Sequence, residues 1–344
     1  MVVAGLGYAG GAVAEEAKAR GFVVTGTVRD PAGARPRRGV PVTAFAEAGT
    51  AIRAASTGSP RSSGAAVMTR CVAARMAVPA SAKAVTGTPR CGRAPAGSRA
   101  VPVTAFAEAG TAIHAATHLV ITAAPDDRGD PVLAAHGAAI AAAPALRWIG
   151  YLSTTGVYGD RGGASVDEAT PPAPGQPRSV RRLEAEQAWA AAAQARGAAL
   201  DVFRVGGIYG PGRSALDELR AGIAKCVVKP GHAFSRIHRD DIALAVVAAA
   251  LRPDGHRVLH LVDDEPAPTS DVVAEAARLL GVEPPPEIPF EEVRARMSPM
   301  ALSFWSENRR VANAATKQAL GIAWHCPTYR EGLRRILAEE SAQS

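Results

Sequence analysis

Apolar positions along the first 28 residues fall into two rhythms. A continuous apolar stretch at 2–5 reads as a strand ending on glycine. Residues 10–20 then place Ala and Val three and four apart, the spacing of one helical face. A second strand pattern, 22–28, closes on the turn-forming Arg29-Asp30-Pro31. The alternation resumes farther on, with strand patterns at 118–123, 146–153, 200–204 and 258–261 and helix patterns at 131–143 and 179–196. Strands alternating with helices predict an α/β fold, a doubly wound parallel sheet covered on both faces. After Asp264 the text changes to a helix at 271–280, the run Pro284-Pro285-Pro286 and a helical tail. This predicts a main domain over 1–262 and a small C-terminal cap region over 263–344.

One stretch does not fit the alternation. The thirteen residues VPVTAFAEAGTAI occur at 40–52 and again at 101–113, an offset of 61. At the same offset Val24-Thr25-Gly26-Thr27 recurs as Val85-Thr86-Gly87-Thr88. Two matches at one offset argue for a tandem duplication, with the part between read in a shifted frame. Two copies fall short of the several units that repeat architectures show. We therefore take 53–113 as a duplicated insert. Its part 53–100, rich in Ser, Gly, Pro and Arg with no apolar period, is expected to be disordered.

Charge changes the picture only through this segment. The chain of 344 residues has a formal net charge of +7, which by itself invites nucleic acid as a partner. Eight basic and no acidic side chains fall in 53–100, however, leaving 31 basic against 32 acidic elsewhere. The basicity belongs to the insert and not to the fold, so no nucleic-acid partner is expected. No run of eighteen apolar residues suggests a membrane span, and no basic leader precedes the first strand, so a cytoplasmic protein is expected. The four cysteines Cys71, Cys91, Cys226 and Cys326 lie far apart without a Cys-x-x-Cys pair, which predicts free thiols and no metal.

The chemistry begins at Gly5-Leu6-Gly7-Tyr8-Ala9-Gly10. Gly-x-Gly-x-x-Gly between a strand and a helix is the dinucleotide-binding arrangement of a Rossmann-type domain. The first glycine allows the tight turn, and the second lets backbone N–H groups approach a pyrophosphate. The third lets helix and strand pack closely, with the positive helix end facing the phosphates. Gly5, Gly7, Tyr8, Ala9 and Gly10 are thus the candidate cofactor residues, together with Ala123 and Ala124 after the 118–123 strand. An acid closing the second strand would favour NAD, but Thr25-Gly26-Thr27-Val28-Arg29 has none. Arg29 can fork onto a 2′-phosphate and Thr27 can add a hydroxyl, so NADP is favoured, with NAD the alternative.

Four further stretches appear in a familiar order. These are Ser153-Thr154-Thr155-Gly156-Val157-Tyr158-Gly159, Asp167-Glu168 before Pro171-Pro172, Arg204-Val205-Gly206-Gly207-Ile208-Tyr209-Gly210-Pro211-Gly212, and His238-Arg239-Asp240-Asp241-Ile242-Ala243. Together they resemble the extended short-chain dehydrogenase/reductases, the NAD-dependent epimerase/dehydratases acting on nucleotide sugars. The resemblance implies the Rossmann fold, a small-molecule substrate and a possible homodimer. It also implies that Thr154 is the catalytic hydroxyl and that the stretch holding Lys229, His232, Arg236 and His238 lines the substrate pocket. Tyr209, Arg213 and His238 are its candidate substrate residues.

The centre of the family's active site departs from the pattern. Anchoring on Glu186-Gln187 puts Arg178 at the catalytic Tyr position and Arg182 at the Lys position. An arginine stays protonated and cannot act as a general base, although Arg182 can still hold a ribose. The acid–base pair of the sugar dehydratases is replaced by Thr155 and Gly156. This combination resembles the atypical members of the group, as do Ser303–Val311 and Pro327–Leu333. Tyr158 is a candidate replacement acid, weighed against a buried ring whose hydroxyl finds a backbone partner, and Tyr209 is weighed in the same way. Asp240 and Asp241 are expected to cap a helix over 242–251. Phe304 and Trp305 are expected in the core. The Ser153-Thr154-Thr155 group gives little support to a hydrolase, since no Gly-x-Ser-x-Gly elbow is present. The sequence thus predicts an NADP-dependent oxidoreductase or epimerase-like enzyme acting on a polar, nucleotide-sugar-like metabolite. The alternative is a catalytically silent cofactor-binding sensor or scaffold.

Overall fold

The computed structural model describes residues 1–28, 42–44 and 101–342, without the side chains of 42–44 and 101–103. Arg29, Cys71, Cys91 and the expected disorder of 53–100 lie outside the described residues. The first half runs β1 (Val2–Ala4), α1 (Tyr8–Ala19), β2 (Thr25–Val28), β3 (Val42–Ala44), β4 (Val101–Ala105), α2 (Gly110–His114), β5 (His118–Ile121), α3 (Pro131–Ala141), β6 (Trp148–Thr154), β7 (Ser165–Val166), α4 (Pro177–Arg196) and β8 (Ala199–Val205). The second runs β9 (Gly207–Tyr209), α5 (Ala215–Arg220), β10 (Cys226–Val228), β11 (Arg236–His238), α6 (Arg239–Leu251), β12 (His256–Leu261), α7 (Thr269–Leu280), β13 (Glu287–Pro289), α8 (Phe290–Arg294), α9 (Pro299–Trp305), β14 (Arg310–Val311), α10 (Ala314–Leu320) and α11 (Tyr329–Ser341).

The main sheet has the order β12-β8-β6-β5-β1-β2-β4-β3, and every pairing in it is parallel. Order reverses beside β1, the switch point at which open α/β sheets hold ligands. Alternation along each strand feeds two cores, as a sheet covered on both faces requires. Val3, Val120, Trp148 and Phe203 face α1 and α6, whereas Val2, Ala4, Leu119, Ile121, Ile149 and Leu200 face α3 and α4. Asp130 ties the second layer together. Its carboxylate accepts from Val132 N and Leu133 N, capping α3, and from Trp189 Nε1 of α4 at 3.0 Å. No helix among the described residues is long and apolar enough to cross a membrane.

Both copies of the duplicated sequence contribute a strand to the main sheet. The second copy supplies β4, which pairs with β2 through Gly26–Val103, Thr27–Thr104 and Val28–Ala105. It continues into α2, where Ile113 is fully buried. Among the described residues the first copy contributes Val42–Ala44, paired outside β4 at the sheet edge.

The cap also differs from its expected limits. A small core joins Tyr209 and Leu216 to Ala267, Val272, Ala276, Tyr329, Leu333 and Ile336. β10 pairs with β13, and β14 reaches back to β7. Residues 207–238 therefore pack with the stretch after 262 and against the expected boundary. Short strands of two or three residues carry too few side chains to show a period, which is why the sequence hides them.

Candidate functional site

The glycine loop is shaped by what cannot be there. Gly5 has φ +106°, a left-handed conformation that side chains rarely adopt. A Cβ on Gly10 would overlap the Gly5 carbonyl oxygen, so only glycine lets α1 start this close to β1. Two threonines hold the turn. Gly5 N donates to Thr27 Oγ1 at 3.1 Å, and Thr122 Oγ1 donates to Gly5 O at 2.6 Å. Thr27 is 1% exposed. Its hydroxyl supports the loop from behind instead of reaching a 2′-phosphate, a correction to its expected role. Thr122 is invisible in the sequence because a lone threonine after a strand carries no signal.

Gly7 is the opposite case. It is exposed, and a Cβ built on it would meet nothing within 4 Å. It caps α1 with no side-chain hydrogen bond, and the first turn contains no acid. The first-turn N–H groups of a helix have no intrahelical acceptor, and the helix end carries partial positive charge. Residues 7–10 thus leave an open, donor-rich cradle that fits a pyrophosphate. Ala123 and the exposed Ala124 leave β5 on the same sheet edge. Tyr8 closes the far side. Its hydroxyl donates to Pro211 O at 3.1 Å, and the guanidiniums of Arg213 and Arg239 lie 5.7 and 5.2 Å from its ring centre. Burial raises the Tyr8 hydroxyl to about 12 against those two cations, so it serves as a hydrogen-bond donor and not as an acid.

Beyond the C-terminal end of β6 lies a cavity of about 310 Å³. Thr154, Arg178, Tyr209 and Arg236 line it together with Phe304, Glu307 and Arg309 from the C-terminal region. Thr154 Oγ1 accepts from Gly156 N at 3.1 Å, which leaves its own proton free to donate. Arg178 lies over the Phe304 ring, 4.0 Å from its centre. Burial lowers the Arg178 pKa, with Glu307 acting in the opposite sense. Arg182 turns inward: its Nη1 donates to Ala123 O, Leu152 O and the Tyr151 hydroxyl at 3.0–3.3 Å. It braces the ends of β5 and β6 from the position the resemblance gives to the family lysine. A second cavity of about 560 Å³ shares Ile208, Tyr209, Arg236 and Thr269 with the first and also reaches Arg213.

Several expected site residues lie elsewhere. Tyr158 is fully buried, its hydroxyl shared among Asp167 O, His260 Nε2 at 2.5 Å and Arg204 Nη1 at 2.8 Å. Arg204 in turn pairs with Glu186 at 2.8 Å, and Glu186 accepts from Ser153 at 2.5 Å. This network stands behind the cavity wall, so Tyr158 is a structural residue and not a replacement acid. His238 is also fully buried under Tyr209 and accepts from Asp240 N through Nδ1, capping α6. It does not face the substrate cavity. Asp241 does not cap the helix either; its oxygens accept from His325 N and Cys326 N and lock that loop. That contact gathers donor atoms of His238, Asp241 and Cys326 within 4.8 Å of one another. Cys226 and Cys326 are free thiols, as expected.

Lys229 and His232 do not line the cavity but fasten the segment that does. Lys229 Nζ donates to Trp305 O, and His232 Nε2 bonds Glu307 O at 3.1 Å. Trp305 packs among His232, Phe234 and Phe290 as a core ring should. Phe304 is 49% exposed and forms a wall of the cavity, against the expectation of a core position. Glu307 has no individual mark in the sequence. Its only signal is the resembling stretch around it.

No family model matches the chain. A 3-diazoavenalumate denitrifying reductase from a Streptomyces species is 32% identical over 186 residues, 49% of this chain and 58% of that protein. Protein YeeZ of Escherichia coli K12 is 31% identical over 135 residues, 39% of this chain and 47% of its own length. The matches thus span about half the length of these curated relatives. Among solved structures, a functionally unknown conserved protein of Silicibacter pomeroyi is 37% identical, with 98% of each chain covered and a TM-score of 0.69. The human epimerase family protein SDR39U1 with NADPH gives a TM-score of 0.60 at 17% identity, covering 98% of this chain and 99% of that one. UDP-glucuronic acid 4-epimerase of Bacillus cereus with NAD gives 0.62 at 14%, covering 99% and 98%. The chain belongs to the family of the Silicibacter pomeroyi protein and carries the extended short-chain dehydrogenase/reductase fold of the NAD-dependent epimerase/dehydratases.

Proposed function

We propose that this chain is an NADP-dependent oxidoreductase acting as a reductase on a small polar metabolite. The observation that carries the reading is the open cradle at Gly7–Gly10, on the same sheet edge as Thr154 and its cavity. The Streptomyces relative is a reductase and the human structure holds NADPH, and both agree with it. A nicotinamide cofactor bound there supplies a hydride. The chain does the rest. Gly7, Tyr8, Ala9 and Gly10 hold the pyrophosphate through backbone N–H groups, and Ala123 and Ala124 border the dinucleotide. Arg29, next in sequence after Val28, is the candidate for selecting a 2′-phosphate. Thr154 donates a hydrogen bond to a substrate oxygen and keeps its proton. Arg182 fixes the carbonyls of Ala123 and Leu152 and so sets the distance between the ends of β5 and β6. A water molecule carries the proton that the family tyrosine would deliver.

A second reading, cofactor binding without turnover, is favoured by one observation. Tyr209 is the lone tyrosine lining the Thr154 cavity among the described residues, and its hydroxyl sits at Thr328 O with its pKa forced far upward by burial. NADPH deuterated at the transferable position, incubated with the protein and a metabolite extract, separates the two. The enzyme reading expects a deuterium-labelled product by mass spectrometry. Tight NADPH binding with no labelled product from either prochiral label would establish the sensor.

A further inference from the structure

We propose that Arg178 is the anion anchor of the Thr154 cavity and that the substrate is a planar carboxylate, an aryl or enoyl acid lying in the plane of the guanidinium. The inference deepens the reading above and rests on that cavity being the substrate site. Its first support is charge. Three arginines and a single acid line the cavity. Glu307 pairs with Arg309 at 2.8 Å, so these two cancel. Arg236 spends Nη1 on the carbonyls of Phe234 and Ala267, at 2.9 and 2.8 Å. Arg178 has no carboxylate within 4 Å among the described residues, and its polar contact is Met300 Sδ at 3.4 Å, a weak acceptor. A guanidinium partly removed from water without a counter-ion is costly, and an arriving anion relieves that cost.

The second support is shape. One face of Arg178 is taken by Phe304, at 4.0 Å from the ring centre. A ring over the guanidinium face does not occupy the in-plane N–H groups, of which Nη1 meets only the weak acceptor Met300 Sδ among the described residues. A carboxylate is flat and matches that fork with two parallel hydrogen bonds and no oxygen left over, whereas a phosphate taking the same fork keeps further charged oxygens to be satisfied. The remaining walls include Val205, Ile208, Phe234 and Val311, apolar surface suited to a flat hydrocarbon body. At about 310 Å³ the cavity lies at the small end of ligand pockets. Phe304, half exposed on a surface that buries most of its aromatic rings, is explained as the platform that orients the fork.

The test uses the whole protein with benzoate, its neutral isostere benzamide and inorganic phosphate, titrated by calorimetry with and without saturating NADPH. Benzoate should bind at least ~10-fold more tightly than benzamide, the scale of a charge-assisted fork. Arg178→Gln should abolish that preference, Arg178→Lys should keep part of it, and Phe304→Ala should weaken both probes together. NADPH affinity in Arg178→Gln should stay within twofold of the parent. Equal binding of benzoate and benzamide by the parent protein, or a preference surviving in Arg178→Gln, would overturn the proposal. Phosphate binding more tightly than benzoate through Arg178 would overturn the planar-acid assignment in favour of a phosphate ester. NADPH failing to bind the parent protein would sink the cofactor reading alone, because the benzoate titration is run without NADPH as well.

Discussion

The two sides of the cleft are made of different material. The proposed cofactor side is backbone: three glycines, an uncapped helix end, and two threonines that hold the turn from behind. The proposed substrate side is side chains, brought from Thr154, Arg178, Arg236, Glu307 and Arg309 over more than a hundred residues of sequence. A backbone site depends on the absence of atoms, so it is written in a few consecutive letters and tolerates no additions. A side-chain site depends on what stands behind each group. Here that backing is the buried chain of Ser153, Glu186, Arg204, Tyr158 and His260. The first kind fails by steric overlap, the second by loss of support.

The largest effect should come from breaking the support. Glu186→Ala leaves Arg204 as a buried cation at 5% side-chain exposure, and removing one partner of such a pair costs about 3–5 kcal/mol. Urea denaturation should show that loss. Adding Arg204→Met should recover part of it, because no lone charge then remains.

Gly10→Val tests the backbone side. The added Cβ meets the Gly5 carbonyl, so β1 and α1 must separate, at about 1–3 kcal/mol of strain. NADPH affinity should fall by ~100-fold or more, since the helix end moves away from the phosphates. Gly7→Ala sharpens the contrast. Its Cβ has open space, so the urea midpoint should stay within about 0.5 kcal/mol while NADPH binding still weakens.

Acid should strike the strand beside the loop. His118, at the start of β5, is 1% exposed, and burial together with Arg147 lowers its pKa to about 4. Its folded pKa lies below the unfolded value of 6.5, so its stabilising contribution is complete above 6.5 and drains away as pH falls towards 4. At pH 5 the loss is about 2 kcal/mol. His118→Gln should lose correspondingly less between pH 7.5 and 5, measured by urea midpoints.

The same contrast explains which parts of the molecule are legible in its sequence. Gly5, Gly7 and Gly10 are legible because each glycine has a local reason visible within six letters. The parallel sheet is legible because strands of four to seven residues, such as β6 and β8, carry a full apolar run. Thr27 is misplaced by sequence alone because a hydroxyl at the end of β2 can turn towards the ligand or back towards Gly5, and the choice depends on the fold of the turn. Tyr158 and His238 read as active-site residues by motif, yet burial assigns both to the scaffold. Phe304 and Glu307 are separated from Thr154 by about half the chain, and no local pattern marks their meeting. The duplicated thirteen residues are visible at once, but their order in the sheet, with the second copy beside β2 and the first outside it, is not written in two identical segments.

The most direct test of the central claim, that Gly5–Gly10 is a dinucleotide cradle, is titration of the purified protein with NADPH and NADH. Ligand fluorescence and thermal midpoint would be followed together in the parent, Gly7→Ala and Arg29→Ala. Saturable binding that raises the midpoint is expected, tighter for NADPH, weakened for both cofactors in Gly7→Ala and with the preference lost in Arg29→Ala. Binding of neither cofactor to a parent protein that unfolds cooperatively, or binding indifferent to Gly7→Ala, would contradict it.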